Sequence, residues 1–208
     1  MTMKWKYSGW INLVILSAVM FGCKESDYTR MVKSELSKDA RQDSVLLGIK
    51  LGDSRNIFYG RCFELNKQQV VTQGMGVSVQ YMFVDSTVHT TPTPIKLLFY
   101  PEFDTVRNAI EGMNMEFSYP GWGTGEAKFR SDSLKVKLMQ ILSAWYGGNE
   151  FIKAHINDQD IPVKVDGNRR IMVYIEDPQH VLVRVHDLLS PKYRHDVPVN
   201  KDMERTEK

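Results

Sequence analysis

The sequence predicts an α+β domain in which antiparallel strands form a sheet, or two sheets, covered by two main helices. Three observations carry this. Two long stretches have helical spacing of apolar residues, several short runs alternate apolar with polar residues, and their order is helix, three strands, helix, three strands. That order divides a domain over 44–189 into possible tandem units, 44–120 and 121–189. They share a pattern of elements without residue-level self-similarity.

Residues 24–43 are polar, but Tyr28, Met31, Val32 and Leu36 are spaced for one short amphipathic helix, so this stretch reads as a tether with a helical end. The apolar segment "VLLGIKLGDS" ends in a start signal. Asp53 or Ser54 caps a helix running to about Lys67, with Ile57, Phe58, Arg61, Cys62 and Leu65 at helical spacing. Strands follow in "VSVQYMFVD", "IKLLFYPEF" and "AIEGMNMEFSY". In the last, Met113, Met115, Phe117 and Tyr119 alternate with Asn114, Glu116 and Ser118, which predicts one buried face and one wet face.

After "PGWGTGE" a second helix is predicted from Ser131 to Tyr146, with Leu134, Leu138, Ile141, Leu142 and Trp145 as its stripe and Gly147-Gly148 as its stop. Three strands, Ile161–Val165, Arg169–Glu176 and Val181–His186, are separated by the turns "VDGNRR" and "EDPQH". From Ser190 to Lys208 there is no apolar face, which predicts a flexible tail.

The N-terminus has its own logic. Lys4 and Lys6 precede the uncharged run "WINLVILSAVMF", then Gly22-Cys23 and a polar segment, the order of a signal peptide over 1–22. A helix needs ~20 apolar residues to cross a bilayer, more than this run supplies. Gly22 and Cys23 resemble the lipobox of bacterial lipoproteins, with Met20 where Leu is usual and Phe21 where Ala or Ser is usual. The resemblance implies cleavage before Cys23, its acylation, and residues 23–43 as lipid attachment and tether. An acylated Cys23 leaves Cys62 unpaired as a small hydrophobe; the alternative is a Cys23–Cys62 disulfide in an exported protein. Loss of residues 1–22 removes two lysines and no acid, taking the formal charge from +2 to zero. That gives no electrostatic footprint for nucleic acid.

The element order, with "LGIKLGDS" before a helix, resembles the lipoprotein of outer-membrane barrel assembly and the secreted protein inhibitors of β-lactamase. The chain also resembles envelope lipoproteins of glycan-degrading Gram-negative bacteria. These likenesses imply an exported protein, lipid-anchored to the cell envelope at the outer membrane, and bring no activity with them; a binding or scaffolding role is expected of it because the sequence shows no catalytic constellation. Its implied partners are the membrane through its anchor and an envelope protein or a glycan. The alternative is a glycan-binding module or a glycan-acting hydrolase.

Motifs add little chemistry. No H-E-x-x-H, C-x-x-C, G-x-S-x-G or phosphate-loop spacing occurs, so no catalytic residue, metal or cofactor is expected. Tyr119 and Trp122, in "SYPGWGTGEAKF", are the candidate binding surface, either as an aromatic platform or folded back on the sheet edge. His180 and His186 share a strand face near Asp177 and Asp187, which reads as histidines at the surface unless further ligands converge. Glu102 and Asp104 are a paired-acid candidate for glycoside hydrolysis or an acidic turn. Arg169 and Arg170 alternate across a strand, so only one enters any concave face to hold a carboxylate or phosphate. Their ordinary reading is an exposed salt-bridging pair.

Overall fold

A computed structural model describes residues 25–84, 93–120, 127–156 and 159–195. Cys23 and Trp122 lie outside them, as do residues 1–22, where a signal peptide is expected. The described chain is mixed α+β, with four α-helices and two antiparallel sheets. Helix α1 spans Asp27–Ser37, and Ser44–Leu46 (β1) and Ile49–Lys50 (β2) form a small hairpin. Helix α2 (Arg55–Lys67) leads into β3 (Val71–Gln73), β4 (Val79–Val84), β5 (Pro94–Asp104) and β6 (Ala109–Ser118). Helix α3 (Ser131–Tyr146) leads into β7 (Ile152–Ile156), β8 (Gln159–Asp166), β9 (Arg169–Ile175) and β10 (Val181–Asp187), and a short helix α4 (Pro191–Arg194) follows.

The large sheet has eight strands in the order β3-β4-β5-β6-β10-β9-β8-β7. Each half is a four-stranded meander preceded by one helix, and the halves join where β6 pairs antiparallel with β10. Each expected unit therefore has four strands instead of three. The extra ones, β3 and β7, lie at the two edges, where half a strand's hydrogen-bonding groups go unpaired and short, polar sequences are tolerated.

Registers assign every side chain to a face. Phe99, Met115, Val183 and Val173 share the first face, with Ile95, Leu97, Phe117, Val181, Val185 and Ile171. They form one buried cluster with Phe58 and Leu65 of α2 and with Leu134, Leu138, Ile141 and Leu142 of α3. Fully burying each such side chain is worth about 1.5–3 kcal/mol. The helix starts and stops follow their signals. Ser54 Oγ accepts from Ile57 N at 3.4 Å, and Gly147 ends α3 with φ of 57°.

The second face departs from expectation in two places. The tether is a docked helix. Val32 of α1 is fully buried against Ala154, Val163, Val165 and Met172, which point away from the main core. The tail does not begin at Ser190, because Ser190 caps α4 and buries Tyr193 over β6. Tyr193 fits there because its neighbour is Gly112, where a Cβ would come within 3.2 Å of the Tyr193 hydroxyl. Asn114, expected on a wet face, is buried beside α4 and donates to Glu102, and Ser118, expected wet as well, is also buried.

The β8–β9 turn is the third departure. Arg169 and Arg170, expected as an exposed pair, are 2% and 4% exposed. Arg169 bonds the Ser44 carbonyl at 2.8 Å, lies 4.3 Å over the Tyr146 ring and shares Asp166 with the fully buried Lys164. Glu35 of α1 accepts from Gly167 N at 3.0 Å and Asn149 Nδ2 at 2.7 Å. Asn168 bridges Asp43 at 3.0 Å and Asp187 at 2.9 Å. Gly167, with φ of 53°, passes so close to Ala40 that a Cβ would lie 2.1 Å from its carbonyl oxygen. The turn thus clamps residues 35–46 to the sheet.

A candidate anion-binding cleft on the second sheet face

On the second face, pairing sets three rows across β5, β6, β10 and β9. They read Leu98–Glu116–Leu182–Tyr174, Tyr100–Asn114–Arg184–Met172 and Glu102–Gly112–His186–Arg170. At the β9–β10 end, α1 supplies Tyr28 as one wall and α4 supplies Tyr193 as another. Together with Ile156 they enclose a cleft of about 350 Å³ floored by Arg170, Met172, Tyr174, Arg184 and His186. The two ends of the described chain meet at this cleft.

Its polar groups are ordered by a short relay. Arg170 donates to Tyr28 Oη at 2.9 Å and to His186 Nδ1 at 2.8 Å. A guanidinium only donates, so Nδ1 accepts and the neutral ring carries its hydrogen on Nε2. Burial, reinforced by repulsion from Arg170, lowers the His186 pKa to about 3, which keeps it neutral. The Tyr193 ring stacks on His186 with centroids 3.7 Å apart and planes 9° from parallel.

Glu102 closes the relay from β5. It accepts from Asn114 Nδ2 at 2.6 Å, from Lys192 Nζ and from the Tyr193 hydroxyl. Burial raises its pKa, but these three donors outweigh burial and bring it down to about 2. The Tyr193 hydroxyl is pushed up, by burial and by its bond to Glu102. Glu111, the extra residue of a β-bulge opposite Glu102 and Phe103, is raised by burial, which Lys192 only partly offsets.

Among the described residues the cleft therefore offers donors besides those its acceptors engage. Tyr28 accepts from Arg170 and keeps its own hydrogen to give, and His186 keeps Nε2–H. Arg184 is exposed, lies 5.3 Å over the Tyr174 ring and has no carboxylate within ion-pair distance among the described residues. Two guanidinium groups and these donors suit an anion, and the tyrosine rings suit an apolar or sugar-like body attached to it.

The residues singled out from sequence fall in different places. Tyr119 is half-buried, its ring edge-on to Phe129 with centroids 5.3 Å apart. His180 lies at the far end of β10 from His186 and bonds Asp177 at 2.7 Å. Among the described residues, no three His, Cys, Asp or Glu side chains converge as metal ligands. Asp104 accepts from the backbone of Val106 and Arg107 at 2.8 and 3.1 Å, closing a turn, while Glu102 points into the relay. Cys62 is half-buried on α2, and burial raises its thiol to about 11. Phe99 is buried, and Phe103 packs on Phe58 of α2 with centroids 6.0 Å apart.

Sequence reasoning missed Tyr28, Arg184 and Tyr193 as site residues. Strand alternation in Val181–His186 is a signal that sets Arg184 on the His186 face, but nothing in the sequence announces that two terminal segments fold over that face. Compared with protein-family models, curated proteins and solved structures, the chain matches none of them.

Proposed function

We propose that the chain is an exported protein, lipid-anchored through Cys23 at the outer membrane, that works by binding at the membrane surface. In this reading α2 and α3 cover one face of the sheet as its main helices, and the second face is the contact surface. The observation that carries the reading is the state of the groups in the cleft. His186, Glu102 and Tyr193 are each held far from neutral titration, which suits fixed recognition better than proton transfer near pH 7. The position of Cys23, shortly before α1, would keep the cleft beside the anchor.

The test has two parts. Cys23→Ser should abolish the processed, membrane-bound form in cell fractionation; an unchanged membrane fraction would sink the anchor. A photo-crosslinking side chain at Leu182, on the second face, should capture a specific envelope component that one at Val136, exposed on α3, does not. Equal capture from both would remove the second face as the contact surface.

A glycan-binding module is the second reading, favoured by one feature. Tyr81 and Phe83 stack with centroids 5.6 Å apart, and the exposed Trp145 lies beside Phe83 at 5.3 Å. Trp145→Ala should then lower retention on a polysaccharide column without changing the unfolding midpoint.

A further inference from the structure

The second-face cleft has a charge and a position that together specify its ligand more closely. Its floor combines the buried Arg170 with the exposed Arg184. Glu102, in the same cross-strand row as His186 and Arg170, has its oxygens committed to Lys192, Tyr193 and Asn114. Tyr28 and His186 each retain a hydrogen because Arg170 donates to both. A planar, delocalised guanidinium matches phosphate oxygens in a bidentate fork, and Arg184 is the one in the cleft that solvent reaches.

Position supplies the second constraint. Tyr28 forms part of the cleft wall and lies five residues after Cys23. Even fully extended, five residues span no more than ~18 Å. If Cys23 carries the acyl chains, the cleft cannot leave the headgroup zone of the leaflet that holds them. A ligand presented by that leaflet would be permanently at high local concentration, so a modest site of about 350 Å³ suffices.

We propose that this cleft binds a phosphate group, and that its source is the headgroup of an anionic phospholipid in the anchoring leaflet. The inference rests on the reading of the chain as an anchored binding protein. Arg184 contacts the phosphate directly, Tyr28 and His186 donate to it, and Arg170 orients both. The apolar body of Tyr174 and the stacked Tyr193 pack against the glycerol portion.

The test uses the anchored, full mature protein reconstituted in phosphatidylcholine bilayers with or without phosphatidylglycerol, read by amide hydrogen exchange over β9, β10 and α1. Phosphatidylglycerol should slow exchange there by on the order of tenfold, because a ligand bound to the folded state protects it. Arg184→Gln should remove that protection. Soluble sn-glycerol 1-phosphate, added to protein in pure phosphatidylcholine, should protect the same strands at higher concentration.

Protection by the soluble phosphate but not by phosphatidylglycerol would overturn the lipid source while leaving a binding cleft in place. Protection by phosphatidylglycerol that persists in Arg184→Gln would overturn the cleft as the site. Protection by neither probe would overturn phosphate as the ligand. The anchored binding role itself fails separately, through the Cys23→Ser fractionation and the Leu182 crosslink.

Discussion

The two halves of the eight-stranded sheet have the same order of elements and very different interiors. In the half from β3 to β6, the first face is apolar, with Ile95, Leu97, Phe99, Met115 and Phe117 almost without solvent contact, and Tyr100 and Met82 of the second face are left exposed. In the half from β7 to β10, both faces are covered at the β8–β9 end. There Lys164, Asp166, Asn168, Arg169, Arg170, His186 and Asp187 are all buried. The difference follows from where the chain ends go. Residues 27–46 cross the second half and residues 190–195 lie over the seam where β10 meets β6, and burying their polar backbone and side chains requires partners from the strands beneath. One half is held by packing, and the other adds to its packing a buried polar network in which Arg169 Nε is left without a hydrogen-bond partner.

Removing one member of that network should produce the largest effect. Asp166 serves both Lys164 and Arg169, so Asp166→Asn leaves two buried cations short of a counter-charge and should cost about 3–5 kcal/mol in urea unfolding. A loss below 1 kcal/mol would mean that solvent reaches the turn. In the apolar half, Phe117→Ala should cost a similar 3–5 kcal/mol through lost burial and a residual cavity. The two variants differ in their response to salt, which should change the first cost more than the second.

Gly112→Ala is the next test, because it acts only where α4 lies on β6. The added methyl crowds the Tyr193 hydroxyl and the Val185 carbonyl, each at 3.2 Å, and should cost about 1–3 kcal/mol. It should also raise proteolysis after Lys192 and Arg194. An unchanged digestion pattern would show that α4 is not held by this contact.

Acid should weaken the second half first. His186 is neutral in the fold down to about 3 but protonates near 6.5 when unfolded, so the unfolded state takes up a proton as pH falls and stability is lost from about 6.5 toward 3. Glu102 contributes stability above its ordinary value of 4.5, which is lost as pH falls toward about 2. The interval between 6.5 and 4.5 therefore belongs to His186 of this pair, and His186→Gln should flatten the stability profile there while Glu102→Gln flattens it only below. The smallest effect is expected at Arg184. Arg184→Gln, exposed and without an ion-pair partner among the described residues, should change unfolding free energy by less than about 0.5 kcal/mol. A larger loss would make Arg184 part of the network instead of the mouth of the cleft.

Local chemistry made much of this legible in advance. The α3 boundaries at Ser131 and Tyr146, the Ser54 cap, the Gly147 stop and the two turns near 167 and 177 depend on neighbours within one helical turn or hairpin, and they stand as read. Strand β3 is too short at three residues to show a period, whereas β7 does alternate, with Ile152, Ala154 and Ile156 on one side and Lys153 and His155 on the other, but over only five residues. The candidate surface at Tyr119 and Trp122 was chosen for composition, whereas the cleft is made by residues as distant as Tyr28, Arg170 and Tyr193.

By itself, the sequence determined the fold class, the order of the long helices and central strands, and which of each strand's residues share a face, since helical and strand periodicities are properties of adjacent residues. It also held the signal-like N-terminus and the cysteine that would carry the anchor. Only the tertiary structure decided that the halves join through β6 and β10, that Arg169 and Arg170 are buried on opposite faces, and that Tyr28 and Tyr193 meet over one histidine. Those outcomes depend on pairing between residues far apart in the chain, where a buried charge survives only if a distant donor or acceptor arrives to satisfy it.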